Sequence, residues 1–213
     1  MRKSKSDDAP KFSELVTLSK QNTALIVVDV QNDFVDSCGS LYVQDAESVV
    51  PNINRMISDA RSEGRLVVYT QDWHPEVTPH FAKDGGIWPV HCVGDTWGAE
   101  FYRELAVAPD ADFVRKGTGG EDGYSGFSVR DPQTGNSSDT AMERILRARG
   151  VERVDVVGIA TDYCVKETAL DARKRGFSTV VYCNCMKSVD LEPGDSDLAI
   201  DAMIEAGVEV RDA

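Results

Sequence analysis

The chain has 213 residues, enough for one well-buried core, and nothing in it demands a second domain. Hydrophobic residues make up 41% and charged residues 28%, the balance of a globular protein in water. A formal net charge of -13 excludes the cationic footprint that nucleic acid or an anionic membrane requires, and leaves a small neutral molecule as the easier partner.

Residues 1–22 are polar and mixed in charge and read as a mobile arm ahead of one domain over 23–213. The opening MRKSKSDDAP lacks the apolar stretch of a signal peptide, and apolar runs such as Ala24 to Val28 are far too short to span a bilayer. A cytoplasmic protein is expected. From Ala24 onward, short β-branched runs alternate with helical stretches. ALIVVDV (24–30), LVVYT (66–70), ADFVR (111–115), VDVVGI (154–159) and STVVYC (178–183) read as strands, the central ones apolar on both faces as in a covered parallel sheet. Residues 46–63 place Val49, Ile53, Ile57 and Ala60 on one helical stripe, with Pro51 in the first turn and Gly64 past the end. Ser138 or Asp139 is the expected cap of a helix through Ala148, and Gly150 closes it. Cys164 to Arg175 forms a helix closed by Gly176, and a last helix, Ser196 to Ala206, precedes Gly207 and a short strand near VEV. This alternation predicts an α/β fold with right-handed crossovers around a mostly parallel sheet.

The five cysteines (Cys38, Cys92, Cys164, Cys183, Cys185) are odd in number and irregularly spaced, which argues for reduced thiols. Burial as small hydrophobes is the expectation for Cys38, Cys92, Cys183 and Cys185, the last two sharing one face of a strand end.

All three histidines, His74, His80 and His91, lie with Asp72 in the string TQDWHPEVTPHF…WPVHCV. An Asp-x-His pair puts a carboxylate and an imidazole on the same side of an extended segment, and further imidazoles from the following loop can complete a metal site. In open α/β sheets the ligand crevice lies outside the carboxyl ends of the strands. Asp29 ends the first strand, Asp72 and His74 follow the second, Lys116 follows the third and Cys164 follows the fourth, so these residues are expected to converge. Taken singly, each has a plainer reading: Asp29 as a turn residue, Lys116 as a solvated lysine, Cys164 as a buried thiol. Together they set a thiol at a helix N-terminus beside a cation, where its thiolate is expected to be stabilised, with a carboxylate near enough to act as base.

The strings VVDVQNDF, TQDWHP, GIWPVHCV, RKGTGGEDGYSGF and VGIATDYCV, in this order, resemble the nicotinamidases of the isochorismatase-like cysteine hydrolases, and the likeness runs from about Ala24 to Val210. The resemblance implies a three-layer α/β/α fold, catalytic Asp29, Lys116 and Cys164, and one divalent metal on Asp72, His74 and His91, with His80 as an added ligand in some members. Zinc is the expected metal, with iron and manganese as alternatives. It also implies a cis peptide between Ile159 and Ala160, an oxyanion hole from the backbone N–H groups of Ala160 and Cys164, and Phe34, Leu41, Trp88 and Tyr124 around an aromatic substrate. The implied reaction is deamidation of nicotinamide to nicotinate through a cysteine thioester, serving NAD salvage, in a homo-oligomer. Three alternatives stand beside it: a sister hydrolase of isochorismate, another amide or an N-carbamoyl compound; a metallohydrolase whose metal-bound water attacks; and a silent binding module.

Overall fold

The computed structural model describes residues 22–213, so the arm expected ahead of residue 23 lies outside the described residues except for Asn22. Six strands form the central sheet: β1 (Thr23–Val28), β2 (Leu66–Asp72), β3 (Asp112–Lys116), β6 (Arg153–Ile159), β7 (Ser178–Lys187) and β8 (Glu209–Arg211). Their order is β3-β2-β1-β6-β7-β8, and every pairing in this sheet is parallel. The chain starts in the centre, builds outward to β3, then crosses back beside β1 to build the other half. That reversal between β1 and β6 is the topological switch point where such sheets open a crevice.

The sheet is apolar on both faces because helices cover both. All six residues of β1 are buried. On one face α2 (Val50–Ser62) lays down Val50, Ile53, Ile57 and Ala60 against Leu25, Val27 and Tyr69. On the other face α3 (Met142–Ala148), α4 (Lys166–Lys174) and α5 (Asp195–Glu205) cover Ala24, Ile26, Val28 and Val156 through Leu146, Ala169, Ala172 and Met203. Two cores separated by one sheet are the three layers that the resemblance implied. A short helix, α1 (Asn32–Val35), follows β1 with all four residues buried.

Three local expectations are revised. Ser138 and Asp139 do not cap a helix but lie in β5 (Ser137–Asp139), which pairs antiparallel with β4 (Ser128–Arg130) in a hairpin outside the main sheet. The helix begins at Met142 instead, whose N–H donates to the Thr140 hydroxyl at 3.1 Å. Cys164 does not open an α-helix. It falls in a π-turn, Thr161–Val165, ahead of α4, and the Ala160 carbonyl accepts from both Tyr163 N–H (3.1 Å) and Val165 N–H (3.0 Å). Finally, Cys183 and Cys185 do not share a buried face. The pairing of β6 with β7 jumps from Val156↔Val181 to Gly158↔Met186, and this bulge breaks the two-residue alternation, leaving Cys183 exposed and Cys185 buried. Cys38, in the loop after α1, is exposed as well. At the bulge Gly158 has φ +123, and a Cβ there would lie 2.1 Å from the Val28 carbonyl oxygen, so only glycine lets β6 pack this closely on β1.

Candidate active site

The carboxyl ends of β1, β2, β3 and β6 meet at one point, and the sequence places a reactive group at each. Val28 ends β1, and Asp29 turns out of it with φ +48, an unfavourable conformation for a non-glycine residue that aims its carboxylate into the crevice. Asp72 ends β2, Lys116 ends β3, and Cys164 follows β6 by way of a cis Ile159–Ala160 peptide. Asp29, Asp72, Lys116 and Cys164 are all buried.

The ammonium of Lys116 is the hub. Its Nζ lies 2.6 Å from Asp29 Oδ2, pairs with Asp72 Oδ1, and stands 3.5 Å from Cys164 Sγ. Ligand-capable atoms of Asp29, Asp72 and Cys164 lie within 4.8 Å of one another. Burial alone would lower the pKa of Lys116, but the two carboxylates outweigh it and hold the ammonium well above its ordinary value. For Asp72, burial raises the pKa, but Lys116, His74 and His91 pull it well below the carboxylate range, so it is charged. Asp29 is shifted the other way, chiefly by burial, with Lys116 opposing and Asp72 adding to the rise. Burial also pushes the Cys164 thiol well above its ordinary value; Lys116 draws it back, and Asp29 and Asp72 raise it again. The cation expected to favour the thiolate is in place, but burial and two carboxylates oppose it, and the net pull on the thiol pKa is upward.

Opposite this cluster stand the histidines. Ligand-capable atoms of His74, His80 and His91 lie within 4.8 Å of one another, all three residues buried. Asp72 Oδ2, the oxygen not held by Lys116, is 3.7 Å from His74 Nε2 and 3.8 Å from His91 Nε2. His91 Nδ1 is 2.7 Å from the Pro89 carbonyl, which can only accept, so Nδ1 carries the proton and Nε2 a free lone pair. His74 has no hydrogen-bond partner on either ring nitrogen although both are buried. An orphaned imidazole in a dry site is costly unless something binds it. With two neighbouring imidazoles and a carboxylate beside it, the donor set fits a divalent cation. Burial holds His91 down at about 4 and lowers His80 too, so these imidazoles are neutral and available as ligands at neutral pH.

Between the two clusters lies a small pocket, lined by Phe34, Leu41, Trp88, Tyr124, Asp72 and Cys164 among others. Its walls are braced by ring contacts: Trp88 Nε1 donates to the Tyr124 hydroxyl at 2.8 Å, and Trp88 meets Tyr163 edge-on at 5.0 Å. Ala160, on the same wall, is 5% exposed.

Several contributors escaped sequence reasoning. Thr70 donates its hydroxyl to Asp29 Oδ1 at 2.6 Å. Gln31 brackets the backbone of Asp72, donating to its carbonyl and accepting from its N–H at 2.8 Å each. Asp33 accepts from Cys92 N–H at 2.7 Å and so pins the His91 loop. Asp162 accepts from the N–H groups of Val189 (3.0 Å) and Asp190 (2.8 Å), tying the π-turn to the wall residue Val189. Gln31 and Asp33 stand in VVDVQNDF, where polar residues directly after a fully apolar strand were the available signal. Thr70 and Asp162 gave none, because their partners are distant in the chain.

Comparison with known proteins gives the family and the fold. The Isochorismatase domain matches residues 23–213, and the chain belongs to that family. It is 39% identical over 194 residues to the nicotinamidase/pyrazinamidase of Mycobacterium tuberculosis, covering 89% of this chain and 95% of that one. A pyrazinamidase of Pyrococcus horikoshii, solved in complex with zinc, superposes with a TM-score of 0.81 at 38% identity, over 90% of this chain and 99% of that chain. The PnC1 protein of L. infantum, solved in complex with nicotinate, superposes with a TM-score of 0.82 at 34% identity, over 91% and 93% of the two chains.

Proposed function

We propose that this protein is a nicotinamidase, hydrolysing nicotinamide to nicotinate and ammonia through a thioester on Cys164, a reaction that serves NAD salvage. The observation that carries the reading is a buried thiol, base and lysine facing a histidine group across a single aromatic-walled cavity. An amide carbon is a poor electrophile, so a neutral thiol must lose its proton as it attacks. Asp29, near the sulfur and steadied by Thr70 and Lys116, takes that proton. The backbone N–H groups of Ala160 and Cys164 receive the oxyanion, and the C–N bond breaks as Asp29 passes the proton to the departing ammonia. Water then attacks the thioester, gives up a proton to Asp29, and the proton returns to sulfur as nicotinate leaves. Lys116 stays charged throughout, holding both carboxylates in place. Phe34, Leu41, Trp88 and Tyr124 hold the ring so that the carboxamide faces Cys164.

Asp72, His74, His91 and His80 would hold a divalent metal, for which zinc suits two or three imidazoles and a carboxylate. Bound there, it would supply a Lewis-acid anchor for the pyridine nitrogen and positive charge that favours ionised groups nearby. The test is ammonia release from nicotinamide, before and after stoichiometric alkylation of Cys164. Activity that survives alkylation of this thiol would overturn the thioester route in favour of attack by a metal-bound water.

A further inference from the structure

His80 stands apart from the other two histidines in how it is held. It lies in the loop between β2 and β3, 5% exposed, its ring stacked on His74 with centroids 4.6 Å apart and an interplanar angle of 21°. Its Nδ1 is 2.8 Å from Asp122 Oδ1. Asp122 belongs to a different loop, after β3, and is itself clamped to the β4–β5 hairpin: its N–H donates to the Arg130 carbonyl at 2.7 Å, and its carbonyl accepts from Arg130 N–H at 2.9 Å. A second tie joins the same two loops, since the Thr78 hydroxyl donates to the Gly120 carbonyl at 3.1 Å and accepts from His80 N–H at 3.2 Å.

An ionised carboxylate can only accept, so the bond to Asp122 requires the proton on Nδ1 and leaves the lone pair on Nε2. Without Asp122 a neutral imidazole is free to take either tautomer and, being on a loop, to turn away. We infer that Asp122 is a positioning residue for the metal site: it selects the His80 tautomer, fixes the ring beside His74 and His91, and makes His80 a working ligand. The inference rests on the metal reading above. It extends the site beyond its ligands, because the β4–β5 hairpin, through Arg130, now helps to set metal affinity. Carboxylate partners of metal-bound histidines change affinity by about 10–100-fold when lost.

The test measures zinc affinity by competition with a chromophoric chelator for wild type, Asp122→Ala, Asp122→Asn, His80→Ala, the Asp122→Ala/His80→Ala double variant and His74→Ala. Asp122→Ala is expected to weaken zinc by about 10–100-fold, with Asp122→Asn less affected because its amide oxygen still accepts. The double variant is expected to be no weaker than His80→Ala alone, since the two residues act through one bond. In a histidine-labelled sample, ¹⁵N NMR is expected to report the Nδ1–H tautomer for His80 in wild type and a mixture in Asp122→Ala, which reads the contact without activity or stability entering. Wild-type zinc affinity in Asp122→Ala, additive losses in the double variant, or an unchanged tautomer would overturn the inference. Loss of zinc in His74→Ala alongside any of these leaves the metal reading standing; retention of zinc in His74→Ala removes the metal reading itself.

Discussion

The hydroxyl of Thr70 is worth as much attention as the groups it supports. It donates at 2.6 Å to one oxygen of Asp29 while Lys116 holds the other at 2.6 Å, so the carboxylate is fixed at both oxygens in a buried site. Thr70→Val keeps the shape and removes the donor. A hydrogen bond to a charged group is worth about 1.5–3 kcal/mol, so kcat/KM for nicotinamide is expected to fall by about 10–100-fold. Wild-type kinetics in that variant would mean that Asp29 does not rely on Thr70. The remaining cysteines separate by burial. Cys185 is fully buried beside Met56, and Cys185→Ala opens a small cavity that is expected to cost about 1 kcal/mol, read as a lowered denaturation midpoint with turnover retained. Cys183 is exposed, and Cys183→Ala is expected to change neither.

Among the elements, the π-turn after β6 does what a regular helix start would not. Its carbonyl at Ala160 takes two N–H bonds that straddle Cys164 in sequence, and Asp162 in the same turn holds the backbone of Val189 and Asp190. Cys164 and one wall of the proposed substrate pocket are therefore a single mechanical piece. Asp162→Asn replaces one accepting oxygen by a donor that faces a backbone N–H, loosening Val189 while leaving Asp29, Lys116 and the sulfur in place. KM for nicotinamide is expected to rise by about 5–10-fold with kcat changed less, as loss of one such bond is worth about 1 kcal/mol. A fall in kcat at constant KM would show instead that Asp162 acts on the sulfur.

For the whole molecule, the ionisable groups packed between the two cores set the acid stability. His91 is held by burial at about 4, against 6.5 for an unburied histidine. A depressed pKa means that the unfolded chain binds a proton which the folded site refuses, so in the presence of a chelator stability is lost as pH falls from about 6.5 toward about 4. Asp72 adds to this at lower pH. Its pairing stabilises the fold above the ordinary carboxylate value, and that stability is lost as acid protonates it. Thermal unfolding with chelator present is expected to show Tm dropping through this window, and a smaller drop with zinc added, because bound ligand favours the folded state. A Tm that stays flat between pH 7 and pH 4 would contradict the burial of neutral imidazoles.

Local patterning was enough to read the α/β alternation and the stripe of Val49, Ile53, Ile57 and Ala60, because strand and helix periods are properties of neighbouring residues. The same patterning put Asp29, Asp72, Lys116 and Cys164 at strand ends, and the parallel order of the sheet brought them to one point. What it missed depends on the third dimension. The hairpin at Ser137–Asp139 needs a partner strand, Ser128–Arg130, that no helical or alternating signal announced. The exposure of Cys183 follows from a bulge that only pairing with β6 reveals. The raised pKa of Cys164 turns on its burial and on how many carboxylates share it, and the contacts of Thr70, Asp122 and Asp162 lie in bonds to residues that are 41, 42 and 27 positions away in the chain. The sequence by itself determined which chemical groups the strand ends carry, since that is written in order along the chain. Only the tertiary structure decided their charges and their orientation, since burial and hydrogen bonding between distant segments exist only once the chain has folded.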